Sequence, residues 1–177
     1  MTNKPNIIVF FTDQQRWDTS GLHGNPLSLM DNFDRGAQEG THIFNSFTCQ
    51  PVCGPARASF QTGMYATKTG NFRNHIALDK KLKTMAQMLS EEGYETGYIG
   101  KWHLDSPHAP YINTLNNAGK VKWNEWTHPD RRHGFDFWYA YGTYDQHNKP
   151  MYWAGSCLLY TSDAADDSLR VDLGGRR

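Results

Sequence analysis

Residues 82–99 read Leu82-Lys83-Thr84-Met85-Ala86-Gln87-Met88-Leu89-Ser90-Glu91-Glu92-Gly93-Tyr94-Glu95-Thr96-Gly97-Tyr98-Ile99. Leu82, Met85, Ala86 and Leu89 recur at helical spacing and make one apolar stripe. The spacing predicts a helix over residues 82–92, stopped by Gly93. A short strand over residues 94–99 is expected to follow, with Gly100-Lys101-Trp102-His103 leaving its end. Outward towards the start, residues 6–12 (Asn6-Ile7-Ile8-Val9-Phe10-Phe11-Thr12) form a continuous apolar, β-branched and aromatic run. Such a run reads as a strand buried on both faces of a parallel sheet. Strand, helix and strand in alternation point to an α/β layered fold.

Other elements fill the interval. Residues 21–30 carry Gly21, Gly24, Asn25 and Pro26 and read as a loop. A short helix is expected from Asp31 to Glu39, with Asp31 as its cap and Gly40 as its stop. Residues 41–48 alternate enough to suggest a strand. Pro55 suits the first turn of a helix running to Thr62, with Gly63 ending it. Residues 105–126 show little period, and the aromatic stretch 135–141 reads as a further strand. From about Ser156 onward the composition changes: residues 161–177 hold no aromatic residue and no amphipathic period. Residues 156–177 are therefore expected to be a non-native read-through tail.

Composition excludes some classes of function. The chain has 177 residues with 18 Lys+Arg and 18 Asp+Glu, a formal charge of zero. A nucleic-acid partner is not expected, because such domains usually carry a clustered basic excess. No apolar run approaches the length of a membrane span. The start, Met1-Thr2-Asn3-Lys4-Pro5, has no signal-peptide core, so a cytoplasmic location and no membrane association are expected. The three cysteines, Cys49, Cys53 and Cys157, are too few and odd in number for a disulfide framework. Cys49 and Cys53 form a C-x3-C pair without further zinc-ligand spacing around it.

The chemistry concentrates around Cys53. Cys53-Gly54-Pro55-Ala56-Arg57-Ala58-Ser59-Phe60-Gln61-Thr62-Gly63 fits the pattern C-x-P-x-R-x4-T-G. A helix starting near Pro55 aims free N–H groups and its positive dipole end at whatever residue 53 carries. Arg57, in the first turn, can offer a forked pair of donors. Asp13 follows the first apolar run, where open α/β sheets place ligands, although a turn cap explains that position equally. Lys101 and His103 are two residues apart and face one site if the backbone is extended there, which sends Trp102 into packing. Taken singly, Lys101 reads as a solvated lysine, His103 as a structural histidine, and Arg73 and Asn74 as turn residues. Arg16, His75, Asp145 and His147 can be substrate contacts or plain loop residues.

This pattern resembles the signature of the formylglycine-dependent sulfatase family, in the alkaline phosphatase superfamily. Residues 93–104, ending Gly100-Lys101-Trp102-His103-Leu104, resemble the family's second signature, and residues 6–13 resemble its first strand and metal-binding Asp. The resemblance runs from about Lys4 to Trp153 in the family's order. It implies an alkaline-phosphatase-like α/β fold, a mixed and mostly parallel sheet between helices. Residues 1–155 would supply the amino-terminal part of that catalytic domain.

The implied activity is hydrolysis of a sulfuric ester. A maturation enzyme would convert Cys53 to formylglycine, whose hydrated form attacks sulfur and later expels sulfate as the aldehyde reforms. By the same resemblance Arg57 holds the formylglycine and Lys101 contacts nucleophile and sulfate. His103 and Asn74 would bind sulfate oxygens, and Asp13, Gln14 and residue 53 a divalent cation. Calcium is expected there, with magnesium or manganese as alternatives. Many relatives carry a second Asp where this chain has Gln14, which offers an amide oxygen without charge. The substrate is expected to be a small-molecule or glycan sulfate ester. Two alternatives stand beside this: a phosphonate monoester or phosphodiester hydrolase of the same superfamily, or an inactive fragment, poorly soluble because of an unpaired sheet edge.

Overall fold

Thr84 opens the helix that the apolar stripe foretold, and it does so with side chains. Its backbone N–H donates to Gln87 Oε1 at 2.9 Å, while its hydroxyl accepts from the Gln87 N–H at 3.4 Å. This capping box fixes the start at the residue after Thr84. Leu82 instead belongs to the preceding turn, where its N–H donates to the Asp79 carbonyl at 3.0 Å. The helix is therefore shorter at its amino end than the stripe suggests.

The computed structural model describes residues 4–105, 126–142 and 151–160. Four helices occur among them: α1 (Asp31–Glu39), α2 (Cys53–Thr62), α3 (Ala66–Thr69) and α4 (Met85–Glu91). Four strands follow: β1 (Gly97–Lys101), β2 (Phe137–Tyr141), β3 (Met151–Ala154) and β4 (Cys157–Tyr160). They form one mixed sheet in the order β1-β2-β3-β4. β1 and β2 run parallel, with Gly97 opposite Phe137 and Lys101 opposite Tyr141, and the other two pairings are antiparallel. This is the α/β architecture expected from the sequence. No helix among the described residues is long and apolar enough to cross a membrane.

The chain divides into two units, residues 1–47 and 48–177. In the first, α1 anchors a loop through Asp34, whose carboxylate accepts from the Ser20 hydroxyl at 2.5 Å and the Gly21 N–H at 2.8 Å. The Ser20 hydroxyl, first among these contacts, holds the Asp34 carboxyl below its ordinary pKa. Asp31 is the first helical residue of α1, after Met30, rather than its cap.

Residues 6–12 belong to none of the strands among the described residues, and Ile8 and Phe10 are each 90% exposed. An apolar run states a demand for burial, but a strand exists only where a ladder partner meets it. Residues 41–48 are not a strand either. Their aromatic members serve a ring cluster instead: Trp17 stacks on His23, Phe44 packs edge-on to both, and Trp17 Nε1 donates to the Phe44 carbonyl at 3.3 Å.

In the second unit the core gathers Ala58, Leu78, Trp102, Leu104, Trp138 and Ala140. Tyr98 packs against Trp102, Phe135 and Trp138, so three aromatic rings fix its plane. β2 forms where the aromatic stretch 135–141 foretold it. Cys157–Tyr160, at the start of the stretch set aside as non-native, forms β4; residues 161–177, along with Asp145 and His147, lie outside the described residues.

His133 is buried and has a left-handed φ of 50°, and its carbonyl accepts from the Thr84 hydroxyl at 2.6 Å. The next residue must be glycine: at Gly134 (φ 92°) a Cβ would come within 2.6 Å of Gln87 Cγ and 2.8 Å of the Gln87 nitrogen. Burial first, and the Arg131 charge second, push the His133 pKa down from 6.5 to about 4. Between those values the unfolded chain binds the proton and the folded chain does not, so stability rises with pH. That contribution is complete above pH 6.5 and is lost as pH falls towards 4, for a total of about 3 kcal/mol. Unfolding followed at stepped pH should show this decline, and His133→Asn, which tolerates the same backbone, should flatten it.

Candidate active site

α2 begins at Cys53 because Val52 before it is extended (φ −137°, ψ 137°) and the chain turns helical at the cysteine. The first four N–H groups at such a helix start have no partner within the helix, here those of residues 52–55. Pro55 has none, the Val52 N–H reaches the Gln50 carbonyl at 2.9 Å, and the Gly54 N–H donates to Asn74 Oδ1 at 2.7 Å. The helix end is thus closed more tightly than its sequence implies, and Asn74 is the residue that closes it. With Oδ1 committed to Gly54, Asn74 turns its donating Nδ2 to the remaining directions. The fit is close: a Cβ on Gly54 would sit 3.2 Å from Asn74 Oδ1 and 3.4 Å from the Arg73 carbonyl oxygen.

Arg57 is 8% exposed, one turn beyond Cys53 on the same helix. A buried guanidinium needs acceptors, and β1 supplies them. Arg57 Nη1 donates to the Lys101 carbonyl at 2.7 Å and to the Tyr98 hydroxyl at 3.3 Å. The Tyr98 hydroxyl itself donates to the same Lys101 carbonyl. Lys101 is the last residue of β1, and its own backbone is therefore held by α2.

Beyond Lys101 the strand ends abruptly. The Trp102 N–H donates to the Tyr141 carbonyl at 2.9 Å, and the indole enters the core at 1% exposure. His103 then adopts φ 57°, left-handed rather than extended. The sequence expectation that Lys101 and His103 share a side by strand alternation therefore fails in its geometry, although Trp102 does turn into packing as expected. His103 is buried, and its ring lies 5.6 Å from that of His75, which has φ 70°. The Leu78 N–H donates to the Leu104 carbonyl at 2.8 Å, seating the 71–78 loop beside this turn. Asn71, fully buried, pins the loop internally by donating to the Ile76 carbonyl at 2.6 Å.

Within the second unit, contacts thus tie Gly54, next to Cys53, to Asn74 and tie Arg57 to the Lys101 carbonyl, while His103 lies against the His75 ring. Asp13 and Gln14 belong to the first unit; both are exposed, and Gln14 has φ 50°. Arg16, also there, makes an exposed ion pair with Asp18 at 2.6 Å. Arg73 is exposed and lies 5.9 Å over the Phe72 ring. Cys49 and Cys157 are exposed, and Cys53 is half-buried. Among the described residues no group of three or more His, Cys, Asp and Glu is placed to hold a metal ion.

Sequence reasoning passed over Tyr98 and left His75 undecided. For Tyr98 a signal existed: a tyrosine whose ring packs into a core must find a partner for its hydroxyl. Nothing local in the sequence marks the paired left-handed residues at His75 and His103.

The Sulfatase family model matches residues 5–169. The Ulvan-active sulfatase of Formosa agariphila is 36% identical over 85% of this chain and 27% of its own length. The yidJ protein of Bacteroides fragilis, a crystal structure, superposes with a TM-score of 0.71 at 42% identity, covering 84% of this chain and 34% of that one. A structure solved with its substrate D-glucosamine-2-N,6-O-disulfate superposes with a TM-score of 0.67 at 26% identity, over 89% of this chain and 28% of the other. The chain therefore spans roughly a quarter to a third of the length of these proteins.

Tyr98→Phe should lower stability by about 1 kcal/mol, the usual worth of a lost hydrogen bond to a partly buried group. Gly54→Ala should displace Asn74, which amide chemical shifts of residues 53–57 and 74 would report; unchanged shifts at 74 would contradict the contact.

Proposed function

The chain belongs to the sulfatase family, and from that premise we propose that the protein hydrolyses sulfate esters with residue 53, matured to formylglycine, as nucleophile. What supports this reading is the pair of bonds that tie the first turns of α2 to Asn74 and to the end of β1 at Lys101, with His103 two residues further on.

Each of these residues has a part that its placement supports. Arg57 puts a fixed, buried positive charge one turn from residue 53, where it favours an ionised hydroxyl over a neutral one. Because its Nη1 is already bonded to Lys101 and Tyr98, it does not reorganise when charge develops. Lys101 and His103 leave the end of β1 as donors for sulfate oxygens, and Asn74 offers Nδ2. Burial of Arg57 and His103 keeps water away and strengthens each of these interactions.

Formylglycine supplies a hydrated aldehyde, a nucleophile with a second hydroxyl that can later release the product. Asp13 and Gln14 are proposed as ligands of a hard divalent cation. A carboxylate and an amide oxygen are the donor types such an ion takes, and calcium is the proposed ion, with magnesium or manganese as alternatives. A divalent cation supplies neutralisation of sulfate charge in such chemistry. A sulfated glycan is the proposed substrate class, since one relative acts on ulvan by name and another was solved with a sulfated glucosamine. A formylglycine-generating enzyme is the implied partner, and a cytoplasmic location remains part of the proposal.

The test is steady-state hydrolysis of an aryl sulfate by the complete protein. Cys53→Ala should reduce kcat to background, and Lys101→Ala should lower kcat/KM by about 10²-fold or more, the scale for a lost oxyanion donor. A Cys53→Ala protein as fast as the parent would overturn the reading.

A further inference from the structure

We propose that His23 and His42 form a binding site for a borderline divalent transition ion such as Zn2+ or Cu2+, independent of the hydrolytic chemistry. Their Nε2 atoms lie 3.0 Å apart and their ring centroids 5.0 Å apart, with 25° between the planes. Two imidazoles on a tetrahedral ion with bonds of about 2.05 Å put their nitrogens about 3.3 Å apart and their centroids about 5.2 Å apart. Cis positions on a square-planar ion bring the nitrogens to about 2.9 Å. The observed pair falls between these two geometries, so an ion enters with a few tenths of an ångström of ring movement.

The protonation pattern favours the same outcome. His23 Nδ1 lies 2.5 Å from the Trp17 carbonyl oxygen, which can only accept, so Nδ1 carries the proton. In neutral His23 this leaves the lone pair on Nε2, facing His42. A backbone carbonyl that takes one ring N–H and thereby aims the other nitrogen is the usual support of a metal-bound histidine. Without an ion, His42 Nε2–H donates to His23 Nε2. On binding, that proton leaves Nε2 for Nδ1 of the same ring, so a neutral pair needs no net proton release and no redox step.

Both rings are also held in place. Trp17 stacks on His23 at 4.2 Å and 5°, and Phe44 packs edge-on against His23 at 5.3 Å and His42 at 6.1 Å. Both histidines are half-buried, leaving an approach for the ion and for waters to complete its shell. Imidazole donors select zinc and copper over calcium and magnesium, so this site would not take a hard cation.

The test is calorimetric titration of the full chain with Zn2+ in excess Ca2+, alongside His23→Gln and His42→Gln. One Zn2+ equivalent that Ca2+ does not displace is expected, weakened about tenfold or more in each variant. Each variant removes a different ring, so a folding defect in one leaves the other to decide. The parent protein loaded with one Cu2+ decides without any substitution: its electron paramagnetic resonance spectrum should show coupling to two imidazole nitrogens. Zn2+ binding unchanged in both variants, or coupling to no more than one nitrogen, would overturn the proposal.

Discussion

Arg57 is buried and charged, and the bonds it makes to satisfy that charge organise the second unit. Its acceptors are the Lys101 carbonyl and the Tyr98 hydroxyl, so the end of β1 must lie against the first turns of α2. Leaving such a group without acceptors would cost several kcal/mol, more than most single packing contacts return. The aromatic cage of Trp102, Phe135 and Trp138 around Tyr98 then holds the hydroxyl in place. Helix start, strand end and core are thereby one mechanical unit. Residue 53 and Arg57 on α2 and Lys101 on β1 belong to the elements that meet here.

Strain appears at the same place. His75 and His103 both take left-handed backbone conformations, which non-glycine residues adopt uncommonly and at a cost of order 1 kcal/mol. The surrounding bonds enforce them: Leu78 to Leu104, Asn71 to Ile76, and Trp102 to Tyr141. Strain retained against such a cost motivates a functional reading, here the aiming of His103 and its neighbour towards one ligand.

Much of this was legible in the chain itself. The stripe Met85, Ala86, Leu89 located α4, and Gly63 placed the end of α2 because only a residue tolerant of φ 68° stops that helix without cost. Cys53, Arg57, Lys101 and His103 were singled out by the order and spacing of their motifs, and the first three fall on α2 and β1. The failures have physical causes as well. The run at residues 6–12 was hydrophobic enough for a buried strand, yet hydrophobicity does not name the partner strand. Alternation over residues 41–48 was real, but His42 and Phe44 serve a ring cluster with Trp17 and His23. Asn74, expected to contact sulfate, also makes a bond that the sequence did not announce, accepting from the Gly54 N–H. That bond joins residues twenty positions apart, beyond any local pattern.

Residue 53 occupies the position on which the functional account turns, and the chemistry proposed there requires an aldehyde in place of its thiol. The most direct measurement is the intact and peptide mass of the Cys53 segment after co-expression with a formylglycine-generating enzyme. The account predicts loss of the sulfur and appearance of a hydrated aldehyde that captures a hydrazine probe. A Cys53 peptide that keeps its thiol, while a known substrate of the same enzyme is converted in parallel, would contradict it.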